Sequence, residues 1–370
     1  MLRTRLWRPS FRRAASYTAC GYPLVDVSAL QQPRGTASRA AAVASLATAC
    51  TDHGFFYAAK CDALPAAYIA SIYEYSRRAH ALPPSVKDRF KQRGGTGAYS
   101  GPDIGQPELN YEASTAAPTV CGWDYSRVRF SLGSGQGPQV GGDTATGDAR
   151  YPSATDGLSP PFATVMDDLY ERQNALGRVL LAGFEDALGL APRALTDMFE
   201  GDAEGDFGTI RLLHYPGAPR DGAVVGAGGD ATGGRAGERT GIGAHTDFEC
   251  FTLMHQNAPG LQLMPRVAGG GHGDWVDAPV REAEFIVIIG DMLERLTNGH
   301  LRATPHRVQL TEHERSSIIR FNGFAPETLV APLSEFVSPE RSEEALMGRT
   351  RCDPNEGPNE GPNETPMRPQ

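Results

Sequence analysis

The 370-residue sequence lacks several features that define large classes of protein. It contains no run of about 18 apolar residues, which a membrane-spanning helix requires. Basic residues do not predominate either, because 35 Lys and Arg stand against 44 Asp and Glu, a formal net charge of −9. Proteins that bind nucleic acid through its phosphates need a basic face, so this composition argues against nucleic-acid binding.

Cysteine motifs are also missing, since the six cysteines are widely spaced and none belongs to a CxxC pair. This spacing excludes a zinc ribbon and a thioredoxin-like site. Nothing in the sequence resembles a secretory signal, and a chain of this length does not need disulfides, so we expect reduced thiols. The length allows two domains, or one β-rich domain with extensions, and 40% hydrophobic residues are enough for a large core.

Both ends of the chain differ in composition from the rest. Residues 1–20 are rich in arginine and contain no acidic residue, which is typical of a transit peptide. We therefore predict a mitochondrial location, with a plastid or a cytoplasmic location as the alternatives. The polar repeat that begins at Asn355 can bury nothing, so we expect disorder from about residue 350. The sequence does not indicate an oligomeric state.

Two glycine-rich stretches, 131–160 and 217–243, lack apolar periodicity and are interpreted as surface insertions. They suggest a division of the chain into six regions. These are a transit peptide or tail (1–20), an N-terminal region (21–130), a glycine-rich linker (131–160), a helical support (161–205), a main β region (206–328, with an insertion at 217–240) and a C-terminal extension (329–370).

The apolar periodicity predicts a fold that is mainly β with flanking α-helices. In the N-terminal region, strands are predicted at Tyr22–Val27 and Gly54–Tyr57, helices at about 36–51 and at Leu64–His80, and a further turn from Pro83. A long amphipathic helix is predicted from Phe162 to Leu188. Later strands are predicted at Thr209–Tyr215, Cys250–His255, Leu261–Met264, Phe285–Ile289, Leu301–Leu310 and Ser317–Phe324. Many short strands with turns between them indicate a barrel or a double-sheet jelly roll.

Two of the nine histidines belong to His-x-Asp sequences. His272-Gly-Asp274 follows three glycines and is interpreted as a hairpin tip, where polar residues need no metal to explain them. His245-Thr-Asp247 instead leads directly into the strand-like segment Phe248–Met254. Residues i and i+2 of a strand project from one face, so His245 and Asp247 are predicted to point together into the barrel.

A third candidate ligand is His306, which lies 59 residues after Asp247 on another predicted strand. Two histidines and one carboxylate on one face of an octahedron form the facial triad of non-haem Fe(II) oxygenases, which leaves three positions open.

A candidate anion site follows His306 in the sequence. Arg315 and Ser317 share a strand face, and an arginine can pair bidentately with the carboxylate of a small co-substrate. The alternative for Arg315 is a surface ion pair with Glu312 or Glu314.

With these residues, the sequence resembles the iron(II)/2-oxoglutarate-dependent dioxygenases, in particular the isopenicillin N synthase-like branch. The segments that carry the resemblance keep the family's order and spacing over about 80 residues: Gly241–Phe248, Pro259–Leu263, Ile289–Leu293, Thr297–Gly299, Thr304–Val308 and Arg315–Ser317. Matching N-terminal segments are Tyr22–Asp26, Cys50–Tyr57 and Leu82–Lys87. Altogether the similarity covers roughly residues 22–128 and 206–328.

The resemblance implies a double-stranded β-helix (jelly roll) core with an N-terminal α/β extension. The implied Fe(II) ligands are His245, Asp247 and His306, and the implied residues for the far carboxylate of 2-oxoglutarate are Arg315, Ser317 and Tyr215. Two positions depart from the family: Leu213 stands where plant members often have Asn, and Lys60-Cys61-Asp62 replaces a common Asn-His-Gly.

The implied activity is oxidation of a small organic molecule by hydroxylation, desaturation or cyclisation, with Fe(II), 2-oxoglutarate and O2, and release of succinate and CO2. One alternative is an isopenicillin N synthase-like Fe(II) oxidase, in which Arg315 and Ser317 grip a carboxylate of the substrate and 2-oxoglutarate is not used. A second alternative is a catalytically silent jelly roll that binds a metal or a ligand. The sequence does not identify the substrate.

Overall fold

The periodic segments of the sequence form regular helices and strands. A computed structural model describes residues 16–17, 21–91, 98–105, 120–129, 139–140, 150–200, 208–217, 240–266, 273–325, 328–337 and 350–351. The helices are α1 (Val27–Leu30), α2 (Ala37–Asp52), α3 (Ala66–His80), α4 (Pro84–Lys87), α5 (Phe162–Leu188), α6 (Ala194–Glu200) and α7 (Asp291–Leu296). The strands are β1 (Ser16–Tyr17), β2 (Pro23–Asp26), β3 (Phe55–Ala59), β4 (Tyr99–Ser100), β5 (Cys121–Ser126), β6 (Val128–Arg129), β7 (Gln139–Val140), β8 (Thr209–Tyr215), β9 (Thr240–His245), β10 (Phe251–Gln256), β11 (Leu261–Leu263), β12 (Val276–Asp277), β13 (Phe285–Ile289), β14 (His306–Gln309), β15 (Arg315–Asn322), β16 (Leu329–Val330) and β17 (Thr350–Arg351).

Two sheets form the core of the fold. The large sheet has the strand order β1-β2-β3-β13-β10-β15-β8-β5-β4, and its neighbours are antiparallel except for the parallel pair β2–β3. The second sheet has the order β12-β11-β14-β9 and is antiparallel. Leu213 and Ile319 of the large sheet and Leu263 and Val308 of the second sheet belong to one buried cluster. This double-sheet core confirms the predicted jelly roll, which is mainly β with flanking helices.

The N-terminal region extends the large sheet, as an α/β extension should. Strand β3 pairs with β13, β2 lies parallel to β3, and helix α2 packs against α5. Phe184 of α5 contacts Phe251 of β10 and Phe56 of β3, with ring centroids 5.4 Å and 6.3 Å apart. Helix α5 therefore covers the outer face of the large sheet across the boundary between the N-terminal strands and the jelly roll.

Most predicted elements agree with the structure to within a few residues. The helix Phe162–Leu188 and the strands Thr209–Tyr215 and Phe285–Ile289 have the predicted bounds. The predicted strand Leu301–Leu310 is too long, because only His306–Gln309 pairs as β14. Pro305 has no backbone N–H to donate to a ladder, and it stands directly before the strand.

The interpretation of the two glycine-rich stretches as surface insertions is wrong for some of the residues that the structure describes, although residues 154, 155, 157, 159 and 160 are exposed. Tyr151 and Leu158 are buried, and the ring of Tyr151 stacks on Phe162 at the start of α5 with centroids 5.5 Å apart. Residues 240–243 belong to β9, and a Cβ on Gly241 would lie 3.2 Å from the ring of Tyr215. Glycine at this position allows close packing inside the core, although in the sequence it is indistinguishable from a loop glycine.

Several expectations concern residues that the structure does not describe. His272, residues 1–15 and residues 352–370 lie outside the described ranges, so the hairpin tip, the mitochondrial address and the disordered C-terminus stay predictions, as does the division into regions. Within the described ranges, no helix combines the length and the apolar character that crossing a bilayer demands.

The expectation of reduced thiols is confirmed for the cysteines that the structure describes, which are Cys50, Cys61, Cys121 and Cys250. Burial raises the pKa of the Cys61 thiol to about 12, and carboxylates such as that of Asp62 act in the same direction. Such a thiol is almost entirely protonated at neutral pH and is therefore a poor nucleophile.

We expect Phe184→Ala to lower the free energy of unfolding by about 3–5 kcal/mol, because truncation of a fully buried ring leaves a cavity between α5 and the sheet. Denaturant unfolding followed by circular dichroism measures this change. Val280→Ala is the control, since Val280 is 37% exposed and should change stability little. Equal effects of the two substitutions would contradict the proposed role of α5.

Candidate active site

Two histidines of the second sheet face each other across a pair of neighbouring strands. His245 is the last residue of β9, His306 is the first residue of β14, and the two are direct partners in the β9–β14 register. Their ring centroids are 4.3 Å apart. Each Nδ1 lies within hydrogen-bond distance of a backbone carbonyl, at 2.9 Å from Gly243 O and 3.1 Å from Thr304 O. With Nδ1–H donating, each Nε2 is the unprotonated ring nitrogen, which is the tautomer that suits a metal ligand.

Asp247 completes the group from a loop, so the prediction that it lies on a strand with His245 is wrong. Strand β9 ends at His245, and β10 begins only at Phe251. Asp247 Oδ1 nevertheless lies 3.6 Å from the Nε2 atoms of both His245 and His306. Its other oxygen, Oδ2, accepts a 2.5 Å hydrogen bond from the hydroxyl of Thr252, which is fully buried on β10. This bond orients the carboxylate so that one oxygen faces both imidazoles.

The three ligand atoms can hold one metal ion. Bonds from nitrogen or oxygen to such an ion are about 2.1 Å long, so a 3.6 Å separation lets one ion touch both partners of each pair. Burial lowers the pKa of His245 to about 4, and the charges of His306 and Arg211 act in the same direction, so this imidazole is neutral near pH 7. Among the described residues, no other three His, Cys, Asp or Glu side chains bring their ligand atoms so close together.

Arg315 and Ser317 lie on the inner face of β15, as predicted, and Arg315 is paired in register with Tyr215 of β8. Arg315 is 1% exposed, and its guanidinium carbon lies 4.6 Å from the centroid of the Tyr215 ring. Its Nη2 donates a 3.1 Å hydrogen bond to Gln256 Oε1. The other guanidinium nitrogens, Nε and Nη1, and the hydroxyl of Ser317 are buried without a hydrogen-bond partner in the described part of the chain.

The surface ion pair considered for Arg315 does not form. Glu314 instead lies 2.9 Å from His214, which faces the opposite side of the sheet from Tyr215. The structure thus leaves a buried guanidinium with no carboxylate partner among the described residues, next to a buried hydroxyl. A small carboxylate is the chemical complement of such a pair.

Sequence reasoning missed the residues that support this anion site. Gln256 gave no signal, because its partner Arg315 is 59 positions away. Gly260 lies in a segment that carried the family resemblance, and its role is steric. It has φ of +140°, and a Cβ there would lie 2.7 Å from Gln309 O and 3.2 Å from Cδ of Arg315. Only glycine lets the chain pass so close to the arginine.

Two family models match the chain. The model of the 2OG-Fe(II) oxygenase superfamily matches residues 208–323. A second model, described as "non-haem dioxygenase in morphine synthesis N-terminal", matches residues 22–110. The chain belongs to the Fe(II)/2-oxoglutarate-dependent dioxygenases. The dioxygenase is an oxidoreductase that uses Fe(II), 2-oxoglutarate and O2 to oxidise a small organic molecule, with release of succinate and CO2.

Curated relatives of the dioxygenase span most of its length. Clavatol oxidase claD from Penicillium crustosum is 28% identical over 87% of this chain and 91% of the relative. The 2-oxoglutarate-dependent dioxygenase citB from Monascus ruber is 28% identical over 77% of this chain and 79% of the relative. Codeine O-demethylase from Papaver somniferum is 26% identical over 88% of this chain and 78% of the relative. These names favour neither the oxidase without 2-oxoglutarate nor the silent jelly roll.

Solved structures show the same fold. A full-length protein from Neurospora crassa, solved in complex with alpha-KG, superposes with a TM-score of 0.67 at 19% identity, over 90% of this chain and 93% of that one. The rice dioxygenase for auxin oxidation gives a TM-score of 0.59 at 20% identity, over 86% of this chain and 89% of that one.

Proposed function

We propose that Nε2 of His245, Oδ1 of Asp247 and Nε2 of His306 hold the Fe(II) of this dioxygenase, and that Arg315, Ser317 and Tyr215 bind the distal carboxylate of 2-oxoglutarate. The observation that carries the proposal is the convergence of three ligand atoms, 3.6 Å apart in two pairs, from two strands and a loop. The donor set of two imidazoles and one carboxylate matches the facial triad, which leaves three positions open.

The metal supplies, when bound, the centre at which O2 and 2-oxoglutarate react and the substrate C–H bond is oxidised. The residues of the chain keep the ligand atoms in place. The backbone carbonyls of Gly243 and Thr304 select the tautomer of the histidines, and Thr252 holds the outer oxygen of Asp247. Each of the three proposed metal ligands is therefore oriented by its own hydrogen bond.

The electrostatics of Arg315 support the second half of the proposal. A buried charge without a counter-ion is costly, and the described residues offer Arg315 no carboxylate. The distal carboxylate of 2-oxoglutarate would neutralise the guanidinium and accept from Ser317, while the face of Tyr215 supports the cation. Leu213, Met254 and Ile319 are buried on the same inner surface and exclude water from the space between the two sites.

We expect His306→Ala to abolish tight Fe(II) binding and succinate formation, because one of three ligands is lost. The measurement is the iron content of protein purified without oxygen, together with succinate release from 2-oxoglutarate with Fe(II) and ascorbate. His313→Ala is the control, since His313 is exposed outside the core. Equal iron content in the two variants would refute the assignment of His306.

We expect Ser317→Ala to raise the KM for 2-oxoglutarate about ten- to a hundredfold, because a hydrogen bond to a charged group contributes about 1.5–3 kcal/mol. Arg315→Met should weaken binding further, since the counter-charge is lost. Ser316→Ala is the matched control, because its side chain lies on the other face of the same strand. An unchanged KM in Ser317→Ala would show that the hydroxyl does not touch the co-substrate.

We expect Thr252→Val to weaken metal binding about ten- to a hundredfold, because the carboxylate of Asp247 loses the hydrogen bond that orients it. The measurement is titration with Mn(II), followed by electron paramagnetic resonance without oxygen. Thr252→Ser keeps the hydroxyl and should restore affinity. If valine and serine behave alike, packing at this position matters and the hydrogen bond does not.

A further inference from the structure

Besides Thr209 and Tyr215, the inner face of β8 carries Arg211. Side chains alternate along a strand, so Arg211, Leu213 and Tyr215 project from the same face. Leu213 and Tyr215 are 1% and 2% exposed, whereas the side chain of Arg211 is 20% exposed. The inner surface is therefore closed at the Tyr215 end and open at the Arg211 end.

Arg211 is fixed by contacts in two directions. Its Nε and Nη2 donate to the two carboxylate oxygens of Asp124 on the neighbouring strand β5, at 2.7 Å and 2.8 Å. Its guanidinium carbon lies 5.5 Å from the centroid of the Phe321 ring on β15. A side-on pair and a supporting ring hold the plane of the guanidinium, so little rotational entropy remains to be lost when a ligand binds.

The strand register places Arg211 beside the metal ligands rather than at the deep anion site. Thr252, which bonds Asp247, is aligned with Phe321, and Phe321 is aligned with Thr209 of β8. Arg211 is the next inward-facing residue after Thr209, whereas Tyr215, aligned with Arg315, lies two inward positions further on.

The second sheet agrees with this placement. Gly241 of β9 packs against the ring of Tyr215, and four residues further along β9 comes His245. Four residues from Tyr215 along β8, in the direction of Thr209, lies Arg211. Facing sheets are about 10 Å apart, so the inward-pointing side chains of Arg211 and His245 approach each other across the interior.

The net charge of the Arg211–Asp124 pair indicates which chemical group Arg211 can bind. Arg315 is a buried cation with no carboxylate neighbour in the described residues, but Arg211 is already neutralised by Asp124. A second carboxylate beside Asp124 would leave an uncompensated negative charge in a partly dry site, which is unfavourable. A neutral oxygen acceptor can take a charge-assisted hydrogen bond from Arg211 without that penalty.

We propose that Arg211, oriented by Asp124, is a specificity-determining residue that binds a carbonyl oxygen of an uncharged substrate and so presents a nearby carbon to the metal. This inference rests on the proposed function, because it needs the metal at the triad and 2-oxoglutarate at Arg315.

The test compares matched neutral and anionic probes on the protein loaded with Zn(II) and 2-oxoglutarate, which cannot turn over. The probes are acetophenone against benzoate, and cyclohexanone against cyclohexanecarboxylate, with affinities from NMR titration. In the wild type, each ketone should bind more tightly than its carboxylate partner. Arg211→Met should weaken ketone binding about ten- to a hundredfold, as expected for the loss of a charge-assisted hydrogen bond.

Asp124→Asn gives the sharper outcome, because it keeps the size of the side chain and removes its charge. The guanidinium of Arg211 then loses its paired carboxylate, and the preference should shift in favour of the carboxylates. Arg281→Met is the matched control: Arg281 forms the same side-on pair with Glu284, at 2.9 Å for both bonds, on the loop before β13. It should leave probe binding and the uptake of Zn(II) and 2-oxoglutarate unchanged.

Three outcomes would overturn the inference: ketones that bind no better than carboxylates, ketone binding that survives Arg211→Met, or a loss in Arg211→Met that falls on 2-oxoglutarate itself. Uptake of Zn(II) and 2-oxoglutarate is measured before any probe is added. Failure of the wild type at that first step refutes the proposed function, whereas success there followed by any of the three outcomes refutes the role of Arg211 alone.

Discussion

The pairing of β9 with β14 fixes the position of His245 opposite His306, and the rest of the site is arranged around these two imidazoles. Oδ1 of Asp247 lies 3.6 Å from the Nε2 atom of each ring. Asp247 lies on a loop, and a loop side chain keeps one orientation only when it is held. The fully buried Thr252 holds it from the large sheet. The site is therefore a contact between the two sheets, and it depends on their correct packing.

Helix α5 and the N-terminal strands matter to the site for this reason. The inner face of the large sheet carries Thr252, Arg315 and Ser317, and its outer face is covered by α5. Displacement of the sheet by even a fraction of a hydrogen-bond length would separate Thr252 from Asp247. Burial of Phe184 and its neighbours thus stabilises the fold and also keeps the two halves of the site together.

The sequence predicts those parts of the site that follow from local spacing. Arg315 and Ser317 are two residues apart on one strand, so their common face could be inferred. His245 and His306 could be chosen from nine histidines by residue type and order, and Asp247 by its place two residues after His245. Contacts between distant segments could not be inferred. Gln256 and Thr252 act across sheet pairings that no local pattern reveals, and Tyr151 is buried by its stacking on Phe162 although its segment has the composition of a loop. Gly241 was predicted to lie in a surface insertion but packs in the core, because close packing and chain flexibility both favour glycine.

The two arginines of the inner surface show why residue type alone does not define a binding site. Arg315 and Arg211 lie on neighbouring strands, project into the same space and each contact an aromatic ring. They differ in their counter-charge, since Arg315 has none in the described residues while Arg211 has Asp124 within 2.8 Å. A guanidinium without a counter-ion selects an anion, and this suits a co-substrate that is always the same dicarboxylate. A guanidinium that is already paired selects by hydrogen-bond geometry instead. Each end of the surface can therefore recognise a different molecule, and the charged co-substrate has no electrostatic reason to occupy the place of an uncharged one.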